Sequence, residues 1–324
     1  MKILRYLGVV LGAALLVLLV REVGWDPIQE TLTLLSWTYV FVLAYPLSWM
    51  LFNTAGWLYA CHPKIMVIRF RDLAAIRMAG ETFNSLLPSS YVGGEPVKAK
   101  LLSATVPLRE ATSSVLIAKA AQSIGLLFYI GLGLALGLPV STAFEHRTTA
   151  WIALGLLGAG VAAFTLLLAH QSFSRVGRLL HRFTRWPWLQ AQERRLVALD
   201  ESLGSFYREC KGRFLASVFW HGLGWIAGVL ELVLIFSLMG HPLSWQQGWF
   251  MGAMAQLGAV IGLISPGGLG FYEGGHYMAA VLLGLPPSLG VSASLIRRVR
   301  EIFWDGVGLY FFSTYSKKDR LGSP

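Results

Sequence analysis

The residues of this chain that could do chemistry are ionisable side chains set into otherwise apolar surroundings. Glu95 and Lys98 follow a stretch that contains Asn84, Pro88, Gly93 and Gly94, and Lys119 stands inside the apolar run beyond it. Glu231 is alone among apolar neighbours. Glu273 and His276 follow Pro266, Gly267, Gly268 and Gly270, and the last long run carries Arg297, Arg300, Glu301 and Asp305. A charge exposed to hydrocarbon costs several kcal/mol, so such groups must face one another or a wet cavity. Arginine forks suit phosphate oxygens. A lone carboxylate such as Glu231 could couple a proton, hold a headgroup amine or neutralise one of the arginines.

Aligning Pro88 with Pro266 pairs the two broken stretches at an offset of 178 residues. Glu95 then matches Glu273, Lys98 matches His276, and Lys119 matches Arg297, with glycines crowding the middle of both. Interrupted apolar segments at corresponding places in two halves are the best sequence pointer to a transporter's binding site. Non-helical backbone at membrane depth survives only inside protein or along a water-filled cavity. Proline ends a half-helix and glycine lets the backbone turn or approach closely. The expectation is two re-entrant or broken helices from an internal repeat, with half-repeats at about 63–170 and 240–316, Glu95 and Glu273 on facing sides of one cleft, and matched Gly-Gly turns of unusual dihedrals.

At 100° per residue, Arg297, Arg300, Glu301, Trp304, Asp305 and Gly308 share an arc of about 140°, with Arg298 at its margin. Lys119, Gln122 and Ser123 occupy the matching face of the earlier run. A purely structural reading pairs Arg297 with Glu301 at i,i+4. Even so, three arginines against two acids, Glu301 and Asp305, leave surplus positive charge, which points to an anionic lipid headgroup. His221, Trp225 and Glu231 follow a stripe with Gly224 and Gly228, which close helix packing explains without function.

Enzyme signals are absent: no DxD, HExxH, GxSxG or Walker-type loop occurs, and the seven His show no ligand spacing. The expectation is no enzyme, no cofactor and no metal. Cys61 and Cys210 belong to no ligand cluster and read as free thiols.

The elements that must position these residues are membrane helices. Of 324 residues, 55% are hydrophobic and 14% charged, against about 25% charged in soluble domains. Several runs approach the roughly 20 residues that cross a bilayer. The expected fold is an all-α, polytopic bundle of about seven to eight spans in one domain, 1–324, with the eighth crossing at 271–286. Nine Lys and Arg fall between Arg175 and Arg213, and others at Lys2, Arg5, Lys64–Arg77 and Lys317–Arg320. That distribution places both termini and a basic segment, 170–213, in the cytoplasm. The segment should form amphipathic helices on the membrane surface. Basic charge so placed reports topology and anionic lipid, and excludes nucleic acid as a partner. The basic, apolar N-terminus lacks a small-x-small cleavage site and reads as an uncleaved span at about 3–21.

"NSLLPSSYVGGEPVKAKLL", "SPGGLGFYEGG" and an Arg-bearing final span resemble the lysylphosphatidylglycerol synthase transmembrane region family, also called flippase-like or UPF0104, over about 5–315. The resemblance implies translocation or export of an anionic, aminoacylated, hopanoid or glycolipid-type lipid across the bacterial cytoplasmic membrane. It does not carry over synthase activity, which resides in a separate domain of some relatives. Two other readings are a scaffold for a lipid-biosynthetic enzyme and a membrane-embedded transferase.

Overall fold

The computed structural model describes residues 36–64, 68–87, 93–137, 147–170, 172–184, 193–263 and 265–321, with scattered positions in 14–33. The expected first span, Pro88 and the outer turn at 138–146 therefore lie largely or wholly outside the described residues. Among the described residues every regular element is helical. A short 3-10 turn, Ser36–Thr38, leads into α1 (Tyr39–Ala44) and α2 (Pro46–Ala60). There follow α3 (Phe70–Leu86), α4 (Glu95–Leu102), α5 (Leu108–Gly137), α6 (Arg147–Ala169), α7 (Phe173–Thr184) and α8 (Glu193–Glu209). The chain continues through α9 (Lys211–Leu238), α10 (Trp245–Ile261), α11 (Phe271–Leu282) and α12 (Pro287–Leu321).

Local chemistry explains the boundaries. Leu87 precedes a proline, which disfavours the α region, and it is extended at φ −92°, ψ 144°, ending α3. Ser244 and Gln247 close a reciprocal capping box that starts α10. Gly270 enters α11 at φ 79°, and the Glu273 carboxylate accepts the Gly270 N–H at 2.7 Å.

At the offset of 178 residues, α3, α4 and α5 fall on α10, α11 and α12. The sequence motifs were not alone in keeping that register. The Gly80 carbonyl of α3 lies against Gly94, leaving no room for a Cβ there, and in the second half the Phe271 carbonyl of α11 lies against Gly258 of α10. Small residues let backbones approach where lipid supplies no hydrophobic drive between helices.

α5 and α9 are the helices long and apolar enough to cross a membrane unaided among the described residues. The expected crossing at 271–286 is corrected: α11 has 12 residues, about 18 Å, against a hydrocarbon core of roughly 30 Å. The rest of the apolar length is divided among shorter helices. Large apolar side chains such as Phe128, Leu156, Leu215, Ile261 and Ile302 stay exposed on the outside, as a lipid-facing surface requires. Inside, one apolar cluster joins α5, α9, α10, α11 and α12 through Ile130, Phe236 and Phe250. A second joins α2, α3, α4, α5 and α8 through Trp57, Ile76, Leu102 and Phe206.

The basic segment is more than a surface feature. Asp200 of α8 accepts the Phe173 and Ser174 N–H groups at 3.0 and 2.8 Å, capping α7. Ser202 donates to the buried Glu110 of α5 at 2.6 Å, and Leu203 and Phe206 enter the core. At the end of α8, Lys64 donates to Glu209 at 3.1 Å. The hydrogen bond and charge of Lys64 hold the Glu209 carboxyl below its ordinary range. Both Cys61 and Cys210 are free thiols and buried.

Candidate functional site

The break between α3 and α4 is stitched by Asn84, whose Oδ1 accepts the Gly94 N–H at 2.7 Å and whose Nδ2 donates to Glu81 at 3.0 Å. Glu81 takes Arg77 at 3.1 Å and Lys98 at 2.7 Å. Glu95, at the start of α4, takes Lys98 at 3.2 Å and Lys119 of α5 at 3.3 Å. Arg77 also donates to Asn53 and lies over the Trp49 ring at 5.4 Å. The result is a chain of alternating charges through α3, α4 and α5.

The break before α11 carries a second cluster. Arg297 donates to Glu231 at 2.8 Å and to the Tyr272 hydroxyl, and Arg300 donates to the other oxygen of Glu231. Arg298 reaches Glu273 at 2.6 Å, Glu301 at 2.9 Å and the Gly267 carbonyl at 2.8 Å. The i,i+4 pairing of Arg297 with Glu301 is thus replaced by Arg297 with Glu231 and Arg298 with Glu301. A helical wheel gives directions only, and the Glu231 carboxylate arrives from α9 to pair with both arginines, one through each oxygen.

Between the clusters lies a cavity of about 290 Å³. Of the residues singled out in the sequence, Asn84, Lys119, Gly267 and Gly268 line it. So do Glu231, Arg297, Arg300, Glu301 and Asp305. Glu95 and Lys98 stand behind its walls, joined by ion pairs to the liners Lys119 and Glu81, and Glu273 stands one step further back, bound to Arg298, which in turn holds the liner Glu301. The facing of Glu95 and Glu273 across one cleft is therefore corrected: each is buried and consumed by cations of its own half. His276 is fully buried, its Nδ1 3.1 Å from the Tyr272 carbonyl, away from the cavity wall. Gly93, Gly94, Pro266 and Gly270 shape the breaks without lining the cavity. The matched-turn idea also fails in part. Gly267 and Gly268 have φ of 55° and 64°, whereas Gly94 has an ordinary φ of −86° and is required for its approach to Gly80.

Sequence reasoning missed Glu81, Arg77, Gln256, Tyr45, Trp49 and Tyr272. The Arg77–Glu81 spacing of i,i+4 was a readable signal; the aromatic liners had none. Surplus positive charge is also corrected. The two clusters, with Asp305 at the cavity wall, comprise six cations (Arg77, Lys98, Lys119, Arg297, Arg298, Arg300) and six carboxylates (Glu81, Glu95, Glu231, Glu273, Glu301, Asp305). The site is built to hold charges of both signs out of water. Among the described residues no cluster of His, Cys, Asp and Glu could hold a metal.

An all-α membrane protein with a charged internal cavity between two broken helices is the class that fold and site define. The chain matches the family model described as "Lysylphosphatidylglycerol synthase TM region" over residues 5–304, and it belongs to that family. It is also 24% identical to a "UPF0104 membrane protein" of Methanothermobacter thermautotrophicus over 96% of each chain. No solved structure matches.

Proposed function

We propose that this protein moves a membrane lipid between leaflets, with the headgroup passing through the cavity between the two broken helices. The observation that carries the reading is that cavity. It is walled by the end of α3 and by the break before α11, and lined by charges of both signs inside an apolar helix bundle. Its volume of about 290 Å³ is near the lower end of ligand pockets, roughly 300–1,000 Å³, and suits a headgroup whose acyl chains remain in lipid. No covalent step is part of the reading, and no cofactor is required. The setting is a bacterial cytoplasmic membrane with the basic segment, 170–213, on its cytoplasmic face. A lipid-biosynthetic enzyme is the partner that would supply the substrate.

Purified protein reconstituted in liposomes tests this. Dithionite quenching of a headgroup-accessible fluorescent phospholipid should show transbilayer movement faster than in protein-free vesicles. Arg297→Gln combined with Arg300→Gln should slow it by at least about tenfold, since hydrogen bonds to charged groups contribute roughly 1.5–3 kcal/mol. Wild-type movement no faster than in empty vesicles would reject transport and favour the scaffold reading.

A further inference from the structure

The charge count of the site restricts what can enter it. All twelve charges of the two clusters are partly or wholly buried, and the six cations balance the six carboxylates. A headgroup of net charge brought into such a place loses its hydration and finds no matching excess of opposite charge. The desolvation cost of several kcal/mol per ion is then repaid only in part. A headgroup carrying one charge of each sign meets a different situation, because it can lie along the existing pattern.

That pattern has two poles on one helix face. Arg297 and Arg300 line the cavity, both paired with Glu231, and the Nε atom of each is buried with no hydrogen-bond partner among the described residues. Two guanidinium groups side by side at a cavity wall, sharing the one carboxylate Glu231, leave positive charge for an anion there. Further along the same face, Glu301 and Asp305 line the cavity, with Trp304 between them. Arg300 and Asp305 are five residues apart, about 7.5 Å along the helix axis. Trp49 and Tyr45 line the cavity as well, and aromatic faces attract ammonium groups.

We infer that the cavity takes a phospholipid headgroup of no net charge, one phosphodiester and one ammonium. The phosphate lies against the guanidinium groups of Arg297 and Arg300, and the ammonium against Asp305 and Glu301. The inference rests on the reading of the cavity as a headgroup site, and it departs from the anionic headgroup that the arginines alone suggested.

Binding rather than transport tests it, so the two can fail separately. Wild-type protein in detergent micelles would be titrated by native mass spectrometry with four lipids of identical acyl chains. These are phosphatidylethanolamine (zwitterionic), phosphatidylglycerol (anionic), lysylphosphatidylglycerol (cationic) and a diacylglycerol glucoside (uncharged). Phosphatidylethanolamine should bind at least about tenfold more tightly than each of the others, the weight of one charge-assisted hydrogen bond. Asp305→Asn should shift that preference toward phosphatidylglycerol, and Arg300→Gln toward lysylphosphatidylglycerol. The opposite shifts in two variants of one helix would not follow from a general loss of folding. Equal binding of all four lipids, or preference for any of the other three in the wild type, overturns the inference. Preferential binding of phosphatidylethanolamine without movement in liposomes would leave it standing and reject transport instead.

Discussion

Removing the Glu231 carboxylate is the sharpest perturbation the structure offers. Glu231 is 2% exposed, accepts Arg297 at 2.8 Å through one oxygen and Arg300 through the other, and comes from α9, an element outside both broken halves. Its replacement by Gln keeps the volume and removes the charge. Arg300 then retains Glu301 at 3.6 Å, but Arg297 is left with the Tyr272 hydroxyl and no carboxylate among the described residues. Leaving an uncompensated buried charge costs about 3–5 kcal/mol. At about 2 °C per kcal/mol for a chain of this size, Glu231→Gln should lower the melting temperature by roughly 6–10 °C. Thermal unfolding in detergent, followed by intrinsic tryptophan fluorescence, measures it. Removing all three charges together, as Glu231→Leu, Arg297→Leu and Arg300→Leu, should recover most of the loss, because an apolar replacement of a whole buried ion cluster is often neutral. A melting temperature for Glu231→Gln within a degree of wild type would refute the reasoning, and would mean that water reaches the arginines.

Three further predictions separate the roles of the glycines and of the basic segment. Gly94→Ala must push the Gly80 carbonyl away, so it should destabilise by about 1–3 kcal/mol, and Gly94→Asn should do no better, since φ there is ordinary. At Gly267, with φ 55°, Asn should cost less than Ala because it tolerates the left-handed region; equal loss for both would sink the dihedral argument. Glu209 is held below its ordinary range by Lys64, so in acid the unfolded chain takes up a proton before the folded one does. Its contribution to stability is complete above the unfolded pKa of about 4.3 and fades as pH falls below it. Melting temperature should therefore rise less steeply between acid and neutral pH in Glu209→Gln than in wild type, and parallel profiles would count against the Lys64 contact in solution.

Much of the architecture was legible because helix breaks have local causes. The residue before Pro88 cannot easily be helical, and Leu87 is extended. Glu273 caps the N–H of Gly270, as an acidic residue three positions into a helix does. The charged face of α12 followed from its period. Partner choice did not follow. Arginine has reach enough to pass its nearest helical neighbour, so Arg297 meets Glu231 on α9, while Arg298, placed at the margin by the wheel, becomes the hub that joins Glu273, Glu301 and Gly267. The short α11 was over-read as a crossing because hydropathy reports burial in apolar surroundings and not length. Gly80 and Gly258, at the same offset as the prolines, carried a signal of close packing that the charged residues overshadowed.

The two halves keep the same elements in register and yet use equivalent positions differently, and electrostatics gives the reason. In the first cluster Arg77, Lys98 and Lys119 face Glu81 and Glu95, an excess of one cation. Had the second half kept the same roles, a like excess would stand across a cavity from it in a low-dielectric interior, where repulsion between unit charges is far stronger than in water. Instead Glu273 takes up both the Gly270 N–H and Arg298, Glu231 from outside the halves pairs with Arg297 and Arg300, and Glu301 and Asp305 add carboxylates on the same face. The second cluster thus ends with an excess of one carboxylate, opposite in sign to the first. A cavity between walls of opposite excess is attractive across its width when empty, and taken together the walls present no net charge to a headgroup that carries both signs. A pair of identical walls would have to be held together against their own charge.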